Sequence, residues 1–175
     1  QRETALHRPG CRLRHRRPEF VAKQLKRSIP YGYSQAAFIS PNAFSYGATS
    51  SQSPNLPAIE ELLDSCRQTG CGGVHFGCYP SEVRPEWVFP EVLGLVKKYC
   101  RNNTIVLGAQ SGSDSLLAKL QRTHSAEQAL QASYWIRKAG FMPHVDFVFG
   151  FPEEKLEDRQ LSLACMKKMI EEDGA

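Results

Sequence analysis

Apolar and polar positions alternate along this chain in two periods, and the two periods take turns. "PEFVAKQLKRSI" reads as a helix opened by Pro18. "AAFIS" (36–40) is a short apolar run that predicts a strand. "LPAIEELLDSCRQTG" then places Ile59, Leu62, Leu63 and Cys66 on one helical face and stops at Gly70. "GVHFGC" (73–78) is a second strand, and "FPEVLGLVKKYC" a helix with Val92, Leu95, Val96 and Tyr99 on one face. "TIVLGA" is a third strand, followed by a turn and a short helix at Leu116, Leu117 and Leu120. "SAEQALQASYWIRKAG" is a helix whose Ser125 and Gln128 form a capping box. "HVDFVFG" (144–150) is the fourth strand and "KLEDRQLSLACMKKMIEE" the last helix.

Strands alternating with helices predict a parallel sheet, because each crossover returns the chain to the same end. Periodicity alone leaves two closures open, a barrel and an open doubly wound sheet. In both, ligands bind beyond the carboxyl ends of the strands. Those ends run into "SPNAFSYG", "YPSEVRPE", "QSGSD" and "FGFPEE", whereas the opposite connections, such as "RQTGCG" and "RKAGFMP", are plain glycine stops. The chemistry is therefore expected on the face carrying Asn42, Glu82, Arg84, Gln110, Ser111, Asp146 and Glu154.

The densest of these loops is "QSGSD". Gln110 and Ser111 either hydrogen-bond a ligand or complete a turn, with Ser113 capping the next helix. Arg84 and Arg122 suit a carboxylate, which a guanidinium grips with two donors, and equally suit a surface ion pair. Asn42, beside Pro41, reads first as a turn residue. Asp146 stands among Val145, Phe147 and Phe149, where a charge is costly unless paired, which favours a role on the inner face of the strands, the interior if they close into a barrel, over a purely structural pairing. His75 and His144 read as core or loop histidines, and His124 as a local partner of the capping box.

Hydrophobic residues are 41% and charged residues 23% of the 175, so a folded domain rather than a disordered chain is expected. No apolar run is long enough to span a bilayer and no secretory signal is visible. The six cysteines include no C-x-x-C pair and no histidine at zinc-finger spacing, which points to idle thiols in a reducing, cytoplasmic setting. The net charge of +4 is concentrated near "CRLRHRRPEF", where Arg12, Arg14, Arg16 and Arg17 read as solvated surface or as phosphate contacts. Aromatics do not interleave with that run, so nucleic acid is neither supported nor excluded.

"FISPNAFSYG", "YPSEVRPEWVFPEVL", "GAQSGSDSLL", "RTHSAEQAL" and "GFMPHVDFVFGFPEE", in that order, resemble the core of radical S-adenosylmethionine (SAM) enzymes. The similarity covers nearly all of residues 14–160. It is closest to the subgroup whose members often carry a cobalamin-binding domain, and extends to the methylthiotransferases. The resemblance implies an α/β fold, a parallel-stranded partial TIM-type (β/α)6 barrel. It implies SAM bound beside a [4Fe-4S] cluster and cleaved reductively to a 5′-deoxyadenosyl radical that modifies a substrate not readable here. Cobalamin is left open for the full-length protein. SAM contacts are implied for Gln110, Ser111, Arg84, Arg122, Asp146 and Asn42. The family's C-x-x-x-C-x-x-C cluster motif is absent from this sequence, and Cys11 alone does not replace it. "GFPEE" also has Glu153 where the family has glycine. Residues 1–175 are therefore expected to be one core-domain fragment, with the first strand, its cluster loop and the last strand outside it, and to be inactive alone. Two alternatives stand beside this: a phosphate-binding α/β barrel using "SGS" as an anion site, and an inactive truncated scaffold.

Overall fold

The computed structural model describes residues 14–49 and 53–173. Cys11 and Arg12 lie outside them. The alternating pattern becomes four strands, β1 (Gln35–Ala37), β2 (Gly73–His75), β3 (Thr104–Gln110) and β4 (Met142–Phe147). Six helices accompany them: α1 (Pro18–Ser28), α2 (Leu56–Arg67), α3 (Pro90–Tyr99), α4 (Asp114–Lys119), α5 (Ala126–Lys138) and α6 (Leu156–Asp173). The helical faces read from period are the buried ones. In α2 the side chains of Ile59, Leu62, Leu63 and Cys66 are all buried. In α3 Leu93 joins Val92 and Val96 in the core, while Leu95 and Tyr99 pack at its margin. The capping box of Ser125 and Gln128 is present.

β1 pairs in parallel with β2, and β3 with β4. The segment after β2 joins the two pairs. Gly77 accepts from the Val106 N–H at 3.0 Å, and Val83 bridges Leu107. Strand order thus follows chain order without reversal. Successive helix packing runs α1–α2–α3–α5–α6. A doubly wound sheet reverses its order and covers both faces; this sheet does neither, and it is the wall of a barrel.

One face of that wall is apolar and one is not. Val74, Ile105, Leu107 and Ala109 point at the helices and are buried, with Val145 and Phe147 packed beside them. The alternate residues face the interior: Gln35 and His75, hydrogen-bonded to each other at 3.1 Å, then Val106, Gly108, His144 and Asp146. Three strands are shorter or shifted relative to the sequence reading. β1 ends at Ala37 rather than Ser40, and β2 stops at His75 because Gly77 turns with φ +73°. β4 begins two residues earlier, at Met142, where Thr104 is its partner, and releases the chain at Val148. His144 is a correction: its side chain is two-thirds exposed, beside Asp146, rather than in a core.

Candidate functional site

The polar loops do meet at the carboxyl ends of the strands. β3 reaches the site through an irregularity between Gly108 and Gln110. Gln110 has φ +66°, and the Ser111 N–H donates to the Ala109 carbonyl at 2.8 Å. That i→i+2 bond around a positive φ is a γ-turn of the rare, strained kind. It turns the Gln110 carboxamide back over Gly108, where a Cβ would lie 2.9 Å from Nε2. Glu82, from the loop after β2, covers the same glycine.

Around this point stand four polar groups with little internal employment. Among the described residues, the side chains of Gln110, Glu82 and Arg122 make no hydrogen bond or close ion pair; Asp146 has only His144, at 3.6 Å. Burial pushes the Glu82 carboxyl up; Arg122 opposes this and Asp146 adds to it. Burial and the neighbouring Arg84 lower Arg122. A half-buried carboxylate, a half-buried guanidinium and a buried carboxamide without a hydrogen bond, meeting near Gly108, are equipped for a small zwitterion.

The other sequence-predicted residues are already engaged. Arg84 Nη2 lies 2.8 Å from Glu86 Oε1 and donates to Thr123 Oγ1 at 2.8 Å, so of its two readings the ion pair is the one present, though sheltered rather than on the surface. Ser111 is fully buried; its hydroxyl meets Ser162 on α6 at 3.1 Å and accepts from the Ser113 N–H. Asn42 is buried and accepts from the Arg84 N–H at 3.3 Å. Glu154 accepts from Gly150 N–H at 2.7 Å and Arg159 Nε at 3.0 Å, closing the loop after β4.

The "SGS" turn is not an anion site. Ser113 Oγ caps α4 and donates to Asp158 Oδ1 at 2.5 Å, and Ser115 Oγ donates to the same oxygen at 3.1 Å. The Gly112 N–H goes to Ser162 at 2.9 Å. A carboxylate already stands where a phosphate would have to bind. The stretch from Gln110 to Asp114 therefore divides after its first residue: the Gln110 side chain makes no hydrogen bond, and the serines dock α6.

Sequence reading passed over Glu86 and placed His124 as local. His124 is in fact buried, with Nε2 2.9 Å from the Ala109 carbonyl and Nδ1 3.4 Å from Glu86 Oε2. Burial works against the Glu86 carboxylate, but His124, Arg84 and Thr123 together outweigh it and hold its pKa below the ordinary value. The available signal was the chain order of acid, arginine and histidine in "EVRPE" and "RTH", which only tertiary contact makes meaningful.

No group of three or more His, Cys, Asp or Glu able to hold a metal exists among the described residues. The thiols of Cys66 and Cys100 are pushed up to about 12 by burial, which keeps them protonated and unlike metal ligands. No helix of the described residues is long and apolar enough to cross a membrane.

The sequence pattern of the Radical SAM superfamily matches residues 3–164. A tRNA-2-methylthio-N(6)-dimethylallyladenosine synthase of Finegoldia magna is 29% identical over 162 residues, covering 90% of this chain and 34% of that protein. Its counterpart in Clostridium botulinum is 30% identical over 169 residues, covering 94% and 36%. The chain thus spans about a third of the length of these relatives. Among solved structures, the Escherichia coli coproporphyrinogen III oxidase, described as a radical SAM enzyme, superposes with a TM-score of 0.62 at 18% identity, over 91% of this chain and 38% of that one.

Proposed function

Because this chain belongs to the radical SAM superfamily, we propose that its concave face binds S-adenosylmethionine for reductive cleavage in a longer enzyme. The observation that carries this is uncommitted Glu82 and Gln110 meeting over Gly108, with Arg122 and Asp146 acting on Glu82 from beside it. The amino-acid end of SAM bears an ammonium and a carboxylate. Glu82 answers the first; Arg122, with its guanidinium, answers the second. Gln110 adds a donor and an acceptor, and Asp146 a second acceptor on the interior face. Arg84, Asn42 and Ser111 enter the reading as supports for these groups, since their polar atoms are used within the protein.

The family's [4Fe-4S] cluster supplies the electron for that cleavage. The described residues do not fit it, and no step is assigned to it here. Residues 1–175 are read as one part of the catalytic core, with the cluster ligands elsewhere in the protein. Cobalamin belongs to the reading only for the full-length protein and on the subgroup resemblance; hydroxocobalamin binding by that protein checks it. The free thiols agree with a cytoplasmic location.

Titration calorimetry with S-adenosylhomocysteine tests the site. Glu82→Gln, Gln110→Ala and Arg122→Ala should each weaken binding on the order of ten- to a hundredfold, about 1–3 kcal/mol per lost contact. Unchanged affinity in all three would remove the reading.

One observation favours RNA as the substrate. Residues 14–31 hold six Lys or Arg against one Glu, and the six cations are exposed. Lys23, Lys26 and Arg27 line a groove with Ser65 of α2 and Gln68 just after it. The methylthio relatives act, by name, on tRNA. Neutralising Lys23, Lys26 and Arg27 should weaken tRNA binding and flatten its salt dependence by about two to three units of slope. An unaltered slope would count against it.

A further inference from the structure

Four polar side chains from two loops form a sheltered knot behind the SAM-facing groups. Glu86 Oε1 takes Arg84 Nη2 at 2.8 Å and the Thr123 hydroxyl at 2.5 Å. Its other oxygen, Oε2, faces His124 Nδ1 at 3.4 Å, and neither of these two atoms has another partner or any contact with solvent. On the far side of the ring, Nε2 sits 2.9 Å from the Ala109 carbonyl. That same carbonyl closes the γ-turn by accepting from the Ser111 N–H.

The proton inventory follows from the acceptors. A carbonyl only accepts, so Nε2 carries a hydrogen. Nδ1 then faces Glu86 Oε2 at 3.4 Å, within ion-pair reach but without a hydrogen bond. The charged groups facing this ring are Glu86 and, farther off, Glu82, both from the loop after β2; Arg84 and Arg122 flank the pair.

We propose that His124, hydrogen-bonded through Nε2 to the Ala109 carbonyl and set against Glu86 through Nδ1, is a positioning residue: it clamps the strained turn at Gln110 to Glu86 and so holds Gln110 and Arg122 in register for SAM. His124 touches no ligand. It acts on the Ala109 carbonyl, one residue before Gln110, and lies two residues after Arg122. Loss of the imidazole frees the turn to relax toward an ordinary strand. The inference rests on the SAM reading of the site.

The test uses the full-length, cluster-loaded protein and S-adenosylhomocysteine as probe. His124→Ala should bind at least tenfold more weakly, and His124→Gln, which keeps a donor for Ala109, should recover most of the affinity. The backbone amide resonances of Gln110 and Ser111 should move in His124→Ala and return in His124→Gln. A folded His124→Ala variant with normal affinity or unmoved resonances, or a His124→Gln variant no better than alanine, would overturn the proposal. Should Gln110→Ala itself leave affinity unchanged, it is the SAM reading that falls, while the amide resonances still report on the clamp.

Discussion

The carboxylate of Glu82 lies over Gly108: a Cβ on that glycine would stand 2.6 Å from Oε2 and 2.9 Å from Gln110 Nε2. The missing side chain is what lets an acid from the β2 loop and an amide from the end of β3 share one spot on the barrel interior. Both obstructing atoms are the far ends of flexible side chains, so Gly108→Ala should cost little stability, about 1 kcal/mol or less. It should nevertheless displace both groups and weaken S-adenosylhomocysteine binding at least tenfold, on the order of 1.4 kcal/mol. Paired melting and calorimetry decide the matter; a large stability loss with intact binding would contradict it.

Gly112→Ala should behave in the opposite way. A Cβ there would meet the Leu161 carbonyl oxygen at 2.6 Å, Cys165 Cβ at 2.8 Å and Ser162 Cα at 2.9 Å. These belong largely to the backbone of α6, which cannot rotate aside. Forced separation of α6 from the turn should cost about 1–3 kcal/mol, read as a lower midpoint in urea.

Glu82→Gln separates binding from stability. Burial raises the Glu82 pKa, so the folded state favours its protonated form. The stability this group contributes is present below its unfolded pKa and is lost as pH rises from there through the raised folded value. At neutral pH the wild-type carboxylate is therefore a burden. The glutamine variant should be more stable there by about 0.5–1 kcal/mol, the figure being small because a half-buried group is still screened by water. That advantage should vanish in acid. A neutral-pH melt in which the variant is less stable than wild type would refute it.

Arg84→Ala removes the partner of a sheltered carboxylate. The side chains of Arg84 and Glu86 are 13% and 11% exposed, so Glu86 would be left with a charge that only Thr123 and His124 answer. A loss of about 2–4 kcal/mol is expected. Were Arg84 instead a direct ligand contact, affinity would fall while the melting temperature held.

The helices and the parallel sense of the sheet were legible because period and capping are local. Ile59, Leu62, Leu63 and Cys66 announce their face within one segment, and Ser125 and Gln128 their cap. Strand ends were less so: a three-residue strand such as Gln35–Ala37 has no period to read, and pairing with β2 defines where it stops. Of the candidate site, Glu82, Gln110 and Asp146 were visible as polar residues at strand ends, and Arg122 as a guanidinium suited to a carboxylate. The engagement of Ser111 by Ser162, and of Arg84 by Glu86, was not, because each partner comes from a different unit of the fold and no local pattern marks it. His124 was misplaced for the same reason: its neighbour in sequence is the capping box, but its hydrogen bond is to Ala109.

The unbroken strand order bears on how the chain reaches its fold. Gln35 pairs with Gly73 and Thr104 with Met142, so each ladder closes across a single βα unit. Loop-closure entropy is then met in equal, modest steps, and none waits for a distant segment. Such a wall can condense from its amino end while the ribosome is still at work, each new strand finding the previous one already placed as its template.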